Sequence, residues 1–529
     1  MKAAAVAAAF VLLGTLAACG GSPPQITSYS PERAATDVST AAPIQITFDH
    51  NVDKQSVESR LALVPATPGS VVWLGPRQLQ FNHTTLQAST TYEVVLQAGY
   101  EDLAGNSYAL RHHWTFTTEV PPSVAGSTPS NSQTDVDPSS YLSIDFTREM
   151  DASSLAGAIT MVPSLPFSVR LDPGDAKRAV ISPESLLAPS TTYTVDISTG
   201  ALDAHGNQLD RNQTFVFHTG AARPLRHWVA FTAALADGSS GGVWIVNETG
   251  FPRQLFEVQS VQSFSWSPDG TTMLIQTGDG LSWSAFTPGA SARPLPFKGS
   301  WAAALGAGLG YVYLDAGGTL HRWSADGADE VIATNVSQAA TAPGGQRVAF
   351  VRFDGKTSTL WGYDVGLRSR YELTSEPAAI SDLSWSPAGN RIAYLRDDVK
   401  AVTLRVRSLV GQAATTTVAS GDIGHPTWLP DSTDLVFAAG ITTAGGTVQK
   451  AFLVSVIAPP AALTQALAIP SGTFNVAGPV PSPDGHQIAF VSQDQVWIMN
   501  ADGTRPTPLT KFDPASFPYL CRTPAWTRA

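Results

Sequence analysis

Residues 482–510 read SPDGHQIAFVSQDQVWIMNADGTRPTPLT. Ser482-Pro483-Asp484-Gly485 is a turn, because proline presets its φ and glycine accepts the bend that follows. Ile488-Ala489-Phe490 starts one short apolar strand and Val496-Trp497-Ile498 a second, before Asn500-Ala501-Asp502-Gly503 reverses the chain again. The apolar tripeptide of the first strand recurs as Val229-Ala230-Phe231, Met273-Leu274-Ile275, Tyr311-Val312-Tyr313, Val348-Ala349-Phe350, Ile392-Ala393-Tyr394 and Leu435-Val436-Phe437, at successive intervals of 44, 38, 37, 44, 43 and 53 residues. A period near 40 with several short strands in each unit predicts the blades of a β-propeller from about residue 226 to 529.

Most units place a turn like that at 482 before the tripeptide: Ser267-Pro268-Asp269-Gly270, Ala342-Pro343-Gly344-Gly345, Ser386-Pro387-Ala388-Gly389 and Leu429-Pro430-Asp431-Ser432. Trp266, Trp385 and Trp428 stand at equal spacing before it, and Trp244, Trp283, Trp323, Trp361 and Trp497 recur further on, a stripe read as blade-to-blade core. Pro524-Ala525-Trp526 repeats the strand that precedes a turn, and Trp228 to Thr232 lacks such a strand, so pairing the two would seal the ring. Seven blades are counted. The stretch 482–510 and the units near 264 and 383 resemble TolB-like propellers, whose domains typically carry six, and the weak unit near 301 keeps six as the alternative.

The first half contains a longer repeat. SPERAATDV at 30–38 returns as TPSNSQTDV at 128–136, ITFDHNVDKQSV at 46–57 as IDFTREMDASSL at 144–155, and LQASTTYEVVL at 86–96 as LAPSTTYTVDI at 187–197. Alternating runs such as Ile44-Ile46-Phe48, separated by Pro, Gly and Asn turns, predict two antiparallel β-sandwiches at 26–119 and 120–221. The S/TP…TDV opening, a turn after Val52-Asp53 and Met150-Asp151, L-x-x-S-T-T-Y and D-x-x-G-N resemble bacterial Ig-like domains of the SbsA type. That resemblance implies spacing or adhesion. In the D-x-x-G-N elements Asp102, Asn106, Asp203 and Asn207 could offer oxygens to calcium, or Asp and Asn could bond their own backbone around Gly105 and Gly206 at positive φ; the turn is the reading taken. The fold class expected is all-β throughout.

Lys2 opens an uncharged run from Ala3 to Ala18, too short to span a bilayer comfortably, and 1–18 reads as a signal peptide. Leu16-Ala17-Ala18-Cys19 resembles a bacterial lipobox, which implies lipidation at Cys19 followed by a tether, 19–25, roughly 20 Å long at full extension. The expected location is a bacterial envelope membrane, the outer one if the cell is Gram-negative, because Gly20 is not the Asp of an inner-membrane retention signal. Of 529 residues only 14% are charged, and the net charge of −11 opposes nucleic-acid binding. Two cysteines exclude a disulfide scaffold and a four-cysteine zinc site.

No catalytic constellation stands out. Gly238-Ser239-Ser240-Gly241-Gly242 matches G-x-S-x-G but sits in a polar loop between two strands, without the strand and helix of a nucleophile elbow. The sialidase box fails because glycine follows aspartate directly in Asp269-Gly270. Tandem His112-His113 alternates across a strand and cannot chelate together, the propeller histidines 227, 321, 425 and 486 are scattered, and Cys521 reads as a buried inert thiol. From Arg347 to Arg407 bases outnumber acids, and Arg368, Arg370, Arg391, Arg396, Arg405 and Arg407 are candidates for an anion- or partner-binding patch. The expected function is a non-catalytic envelope lipoprotein presenting its propeller to a protein or glycan partner, with no cofactor and no need to oligomerise. The alternative is a hydrolase or lyase acting on polysaccharide in a propeller cleft.

Overall fold

The computed structural model describes residues 21–237, 241–248, 252–257, 261–398, 401–411, 413–443, 446–460, 467–469, 475–510 and 519–528. The signal segment, Cys19 and most of the G-x-S-x-G match lie outside the described residues.

Both repeats of the first half fold as two packed four-stranded sheets. In the first, Ile26–Ser30, Ile44–Phe48, Gln78–His83 and Gly69–Trp73 form one sheet in that order, and Ala35–Val38, His112–Thr118, Thr91–Leu96 and Leu61–Val64 form the other, with Ala35–Val38 parallel to its neighbour. The second unit repeats this order from Val124–Thr128 to Gln213–Thr219. Alternation is obeyed: Ile44, Ile46 and Phe48 are buried, as are Leu142, Ile144 and Phe146. The S-T-T-Y motif is a corner rather than a surface. Tyr92 and Tyr193 turn inward and their hydroxyls accept the amides of Gln87 and Ala188 at 3.0 and 2.8 Å. The expected turn after Asp53 and Asp151 is instead a short helix, Lys54–Glu58 and Ala152–Ala158, because each aspartate caps it by accepting an amide, Ser56 or Ser153, at 2.7 and 3.2 Å.

Seven four-stranded antiparallel sheets follow, so the propeller has seven blades. Blade 1 combines Val229–Leu235, Gly242–Val246 and Arg253–Glu257 with the last strand, Tyr519–Trp526. Blades 2 to 7 begin at Val261, Trp301, Val336, Ala379, Thr427 and Ala477. The recurring tripeptides are the second strands, and Phe231, Phe350, Phe437 and Phe490 in them are fully buried. Each such ring contributes about 1.5–3 kcal/mol by burial. Closure runs as the sequence suggests: Val229 pairs with Trp526 and Ala230 with Ala525.

A buried polar cluster joins the two sandwiches. Glu119, 2% exposed, accepts the Thr40 amide at 3.1 Å, the Asn207 side-chain amide at 2.9 Å, His205 Nδ1 at 2.8 Å and Arg148 Nη2 at 2.5 Å. Arg148 also reaches Asp37 at 2.9 Å and lies 3.8 Å from Asp203. Arg253, fully buried, joins the second sandwich to blade 1: it donates to the carbonyls of Ser139 and Ser140 at 2.7 and 3.0 Å and stacks 3.9 Å from the Tyr141 ring. Burial pushes its pKa down to about 10.

Two outcomes follow. Phe350→Ala should destabilise the chain by about 3–5 kcal/mol, whereas Phe353→Ala, on the same strand but 44% exposed, should cost under about 0.5 kcal/mol; urea denaturation of both variants checks this. Burial by itself would raise the pKa of Glu119, but the Thr40, Asn207 and His205 donors outweigh it and hold the carboxyl below its ordinary range. Its contribution is therefore complete above the unfolded carboxylate pKa and disappears as pH falls through the folded one. Glu119→Gln should be less stable than the natural chain at pH 7, with the gap closing towards pH 3, as read from thermal unfolding at both values.

Candidate functional site: the central channel

The first strands of the blades converge on a central cavity of about 640 Å³, to which all seven blades contribute. Four blades place tryptophan at the last position of that strand: Trp526 in blade 1, Trp266 in blade 2, Trp385 in blade 5 and Trp428 in blade 6. Blades 3, 4 and 7 have Ala304, Thr341 and Pro481 there. Trp301 lines the cavity from further back on blade 3.

These tryptophans are more than blade-to-blade core. Each of three donates its indole N–H to a carbonyl of the preceding blade, Trp385 to Ala340 at 3.1 Å, Trp428 to Ser384 at 3.0 Å and Trp526 to Val480 at 2.9 Å. The indole N–H ties each ring to the preceding blade while the ring lines the channel. Trp266 breaks the pattern, because its indole N–H is buried without an acceptor among the described residues. By contrast, the later stripe is used inside and between sheets: Trp283 donates to Gly299 at 2.7 Å and Trp361 stacks on Phe350.

At the channel mouth, two residues beyond the tryptophan position, stand Pro268, Pro343, Pro387, Pro430 and Pro483. They belong to the turns seen in the sequence, in which Ser267 and Ser482 bond Asp269 and Asp484 at 2.5 Å. The turns also interlock: Arg347 donates to the Gly389 carbonyl of the next blade at 2.6 Å, and Arg391 to that of Ser432. Blade 3 replaces the turn by Leu305-Gly306-Ala307-Gly308, which leaves a second groove of about 610 Å³ on this face. In blade 1 the position taken by proline elsewhere is Arg528.

The six arginines chosen from the sequence are not gathered into one anion site. Arg368 lies 3.9 Å from Glu330, Arg370 donates to the Ile332 carbonyl at 2.9 Å, Arg391 serves the blade contact just described, and Arg407 donates to Ala413 at 2.9 Å. Only Arg396 and Arg405 share a partner, the buried Glu376, at 3.5 and 2.6 Å, where the Tyr394 hydroxyl also donates at 2.6 Å. Burial, then the neighbouring carboxylate, raises the pKa of that phenol. Local carbonyls and carboxylates take up the charges of the run where they stand, Glu376 holding two of them.

Other candidates are accounted for by structure. Asp102 and Asp203 each accept two amides of their own turn and the side chain of Asn106 or Asn207, at 2.7–2.9 Å, around Gly105 and Gly206 at φ 82° and 85°. Glu119, Asp203 and His205 do bring ligand atoms within 4.8 Å of one another. The Arg148 guanidinium already supplies positive charge there. His113 pairs with Glu93 at 2.7 Å while His112 packs edge-on against Tyr29 and Trp114, and His321, His425 and His486 each lie against their own aspartates. Cys521 is fully buried, and burial pushes its thiol up to about 12.

Residues 21–118 and 119–219 match the family model described as Bacterial Ig-like domain. The two sandwiches are bacterial Ig-like domains. No curated protein matches the chain. Among solved structures it is similar to a putative TolB from Agrobacterium tumefaciens, at 17% identity over 53% of this chain and 88% of that one, TM-score 0.35. TolB from Acinetobacter baumannii is similar at 13% identity over 70% and 83%, TM-score 0.36, and a tricorn protease at 10% over 90% and 53%, TM-score 0.38.

The second Ig-like domain meets the propeller away from the channel. Its contacts include the outermost strand of blade 1, through Arg253 and the Gln254 amide, which donates to the Glu184 carbonyl at 2.8 Å, and the Tyr141 ring, which packs against Trp228 while its hydroxyl donates to Asn247 at 3.4 Å. Trp428→Phe should cost about 0.5–1.5 kcal/mol, since the part-buried Ser384 carbonyl loses its donor. Trp266→Phe, which surrenders no hydrogen bond to a described residue, should cost about 1 kcal/mol less; denaturant midpoints of the two variants check the difference.

Proposed function

We propose that this chain is a lipid-anchored envelope protein in which two Ig-like domains space a non-catalytic propeller from the membrane, and that the propeller binds an envelope protein or glycan. Cys19 carries the anchor and the residues after it form a short tether. The observation that carries the reading is the channel lining: Trp, Pro, Ala, Ser, Thr, Leu and Val with one arginine, and among the described lining residues no carboxylate or histidine to serve as acid or base. The buried cluster around Glu119 and the Arg253 contact support the spacer role, because both couple neighbouring modules through groups that are costly to separate.

The test has two arms. Labelled palmitate should enter the natural protein and not Cys19→Ser, which should leave the membrane fraction. Residues 20–529, immobilised, should retain a discrete envelope component while releasing no new reducing ends or unsaturated sugars from purified envelope polysaccharide. Steady product release would replace this reading by the polysaccharide hydrolase or lyase.

A further inference from the structure

We infer that the mouth of the central channel binds a small organic acid with an apolar or aromatic body, its carboxylate held by Arg528 and its body against the channel tryptophans. The inference rests on the propeller being a binding module and names the chemistry that it would bind.

The argument begins with position. Five blades carry proline at this point in the ring and blade 3 carries Gly306; blade 1 has no following turn to build, because its inner strand is the closing strand, and Arg528 stands there. Among the described residues lining the channel it is the one charged side chain, and it makes no hydrogen bond or ion pair to a described residue. The arginines of blades 4 and 5 discussed above all have partners, so Arg528 differs from them. Its side chain is exposed to the channel and meets no counter-charge among the described residues, and an incoming carboxylate would supply one.

Size and charge narrow the class. The cavity, about 640 Å³, falls within the range of small-molecule sites, roughly 300–1,000 Å³. One planar guanidinium matches one carboxylate through two parallel hydrogen bonds. A phosphate dianion would call for a second cation, and no other base is among the described lining residues. The remaining wall offers indole faces and proline rings, which favour an apolar or aromatic body.

The experiment uses residues 20–529 with 4-phenylbutyrate and its neutral amide, 4-phenylbutanamide, followed by calorimetry and by tryptophan fluorescence. The acid should bind at least about 10-fold more tightly than the amide, as a charge-assisted pair requires. In Arg528→Gln the preference should fall below about 2-fold, and Arg528→Lys should keep part of it. Unchanged thermal unfolding of both variants establishes that the fold is intact. Equal affinity for acid and amide, no binding of either at millimolar concentration, or a preference that survives in Arg528→Gln would overturn the inference. A tetrapeptide ending in phenylalanine with a free carboxylate is the third probe; binding more than about 10-fold tighter than phenylbutyrate, a gap of about 1.4 kcal/mol, would assign the site to a peptide terminus and overturn the small-acid assignment. Loss of the acid preference leaves the non-catalytic reading standing, whereas polysaccharide turnover sinks that reading and leaves the preference unaffected.

Discussion

Without a partner, the strand Val229–Leu235 would be the inner edge of a three-stranded blade 1, with its row of backbone groups unpaired and nothing to tie the last part of the chain to the first blade. Pairing with Tyr519–Trp526 completes that blade and holds the ring closed. Other features hang on that contact. The Trp526 indole can reach Val480 because blade 7 is brought beside blade 1, and the channel exists because the first strands are forced to face one another. Arg528 reaches the channel mouth because it lies two residues beyond the strand that closes the ring.

Much of this architecture was legible in the amino-acid sequence. The tripeptides, the Pro-Asp-Gly turns and the unmatched strand at 524–526 are local patterns, and local patterns report which residues are buried and where the chain reverses. Seven blades could be counted because each second strand is apolar enough to be found even where its turn has decayed, as in blade 3. The short helices at 54 and 152 were not legible, because one turn of helix shows too little period to be told from a turn.

The candidate site was harder to read. Which tryptophan edge meets the channel depends on the neighbouring blade, some 44 residues away in the case of Trp428 and Ser384, and no spacing within one blade encodes it. The arginine run was visible as charge but not as geometry: Glu376 and several backbone carbonyls absorb it. Arg528 was passed over because it lies outside that run, and its setting becomes special only after closure. Glu119 falls at a module boundary and lacks a repeat partner of its own kind, since the match to the first Ig-like domain starts at Gly21 and that to the second at Glu119. The arginine that meets it, Arg148, stands where the first domain has His50, so the two units look alike in pattern while their junction chemistry differs.

Blade 1 receives the chain from the second Ig-like domain and also holds the ring closed. Its strand Val229–Leu235 lies between Gly242–Val246 and Tyr519–Trp526, antiparallel to both. Tension arriving along the backbone from residue 226 would load those two ladders in shear, with many hydrogen bonds strained together instead of peeled one after another. A mechanical pull on the preceding domains would thus reach the propeller at a strand that is hydrogen-bonded on both sides.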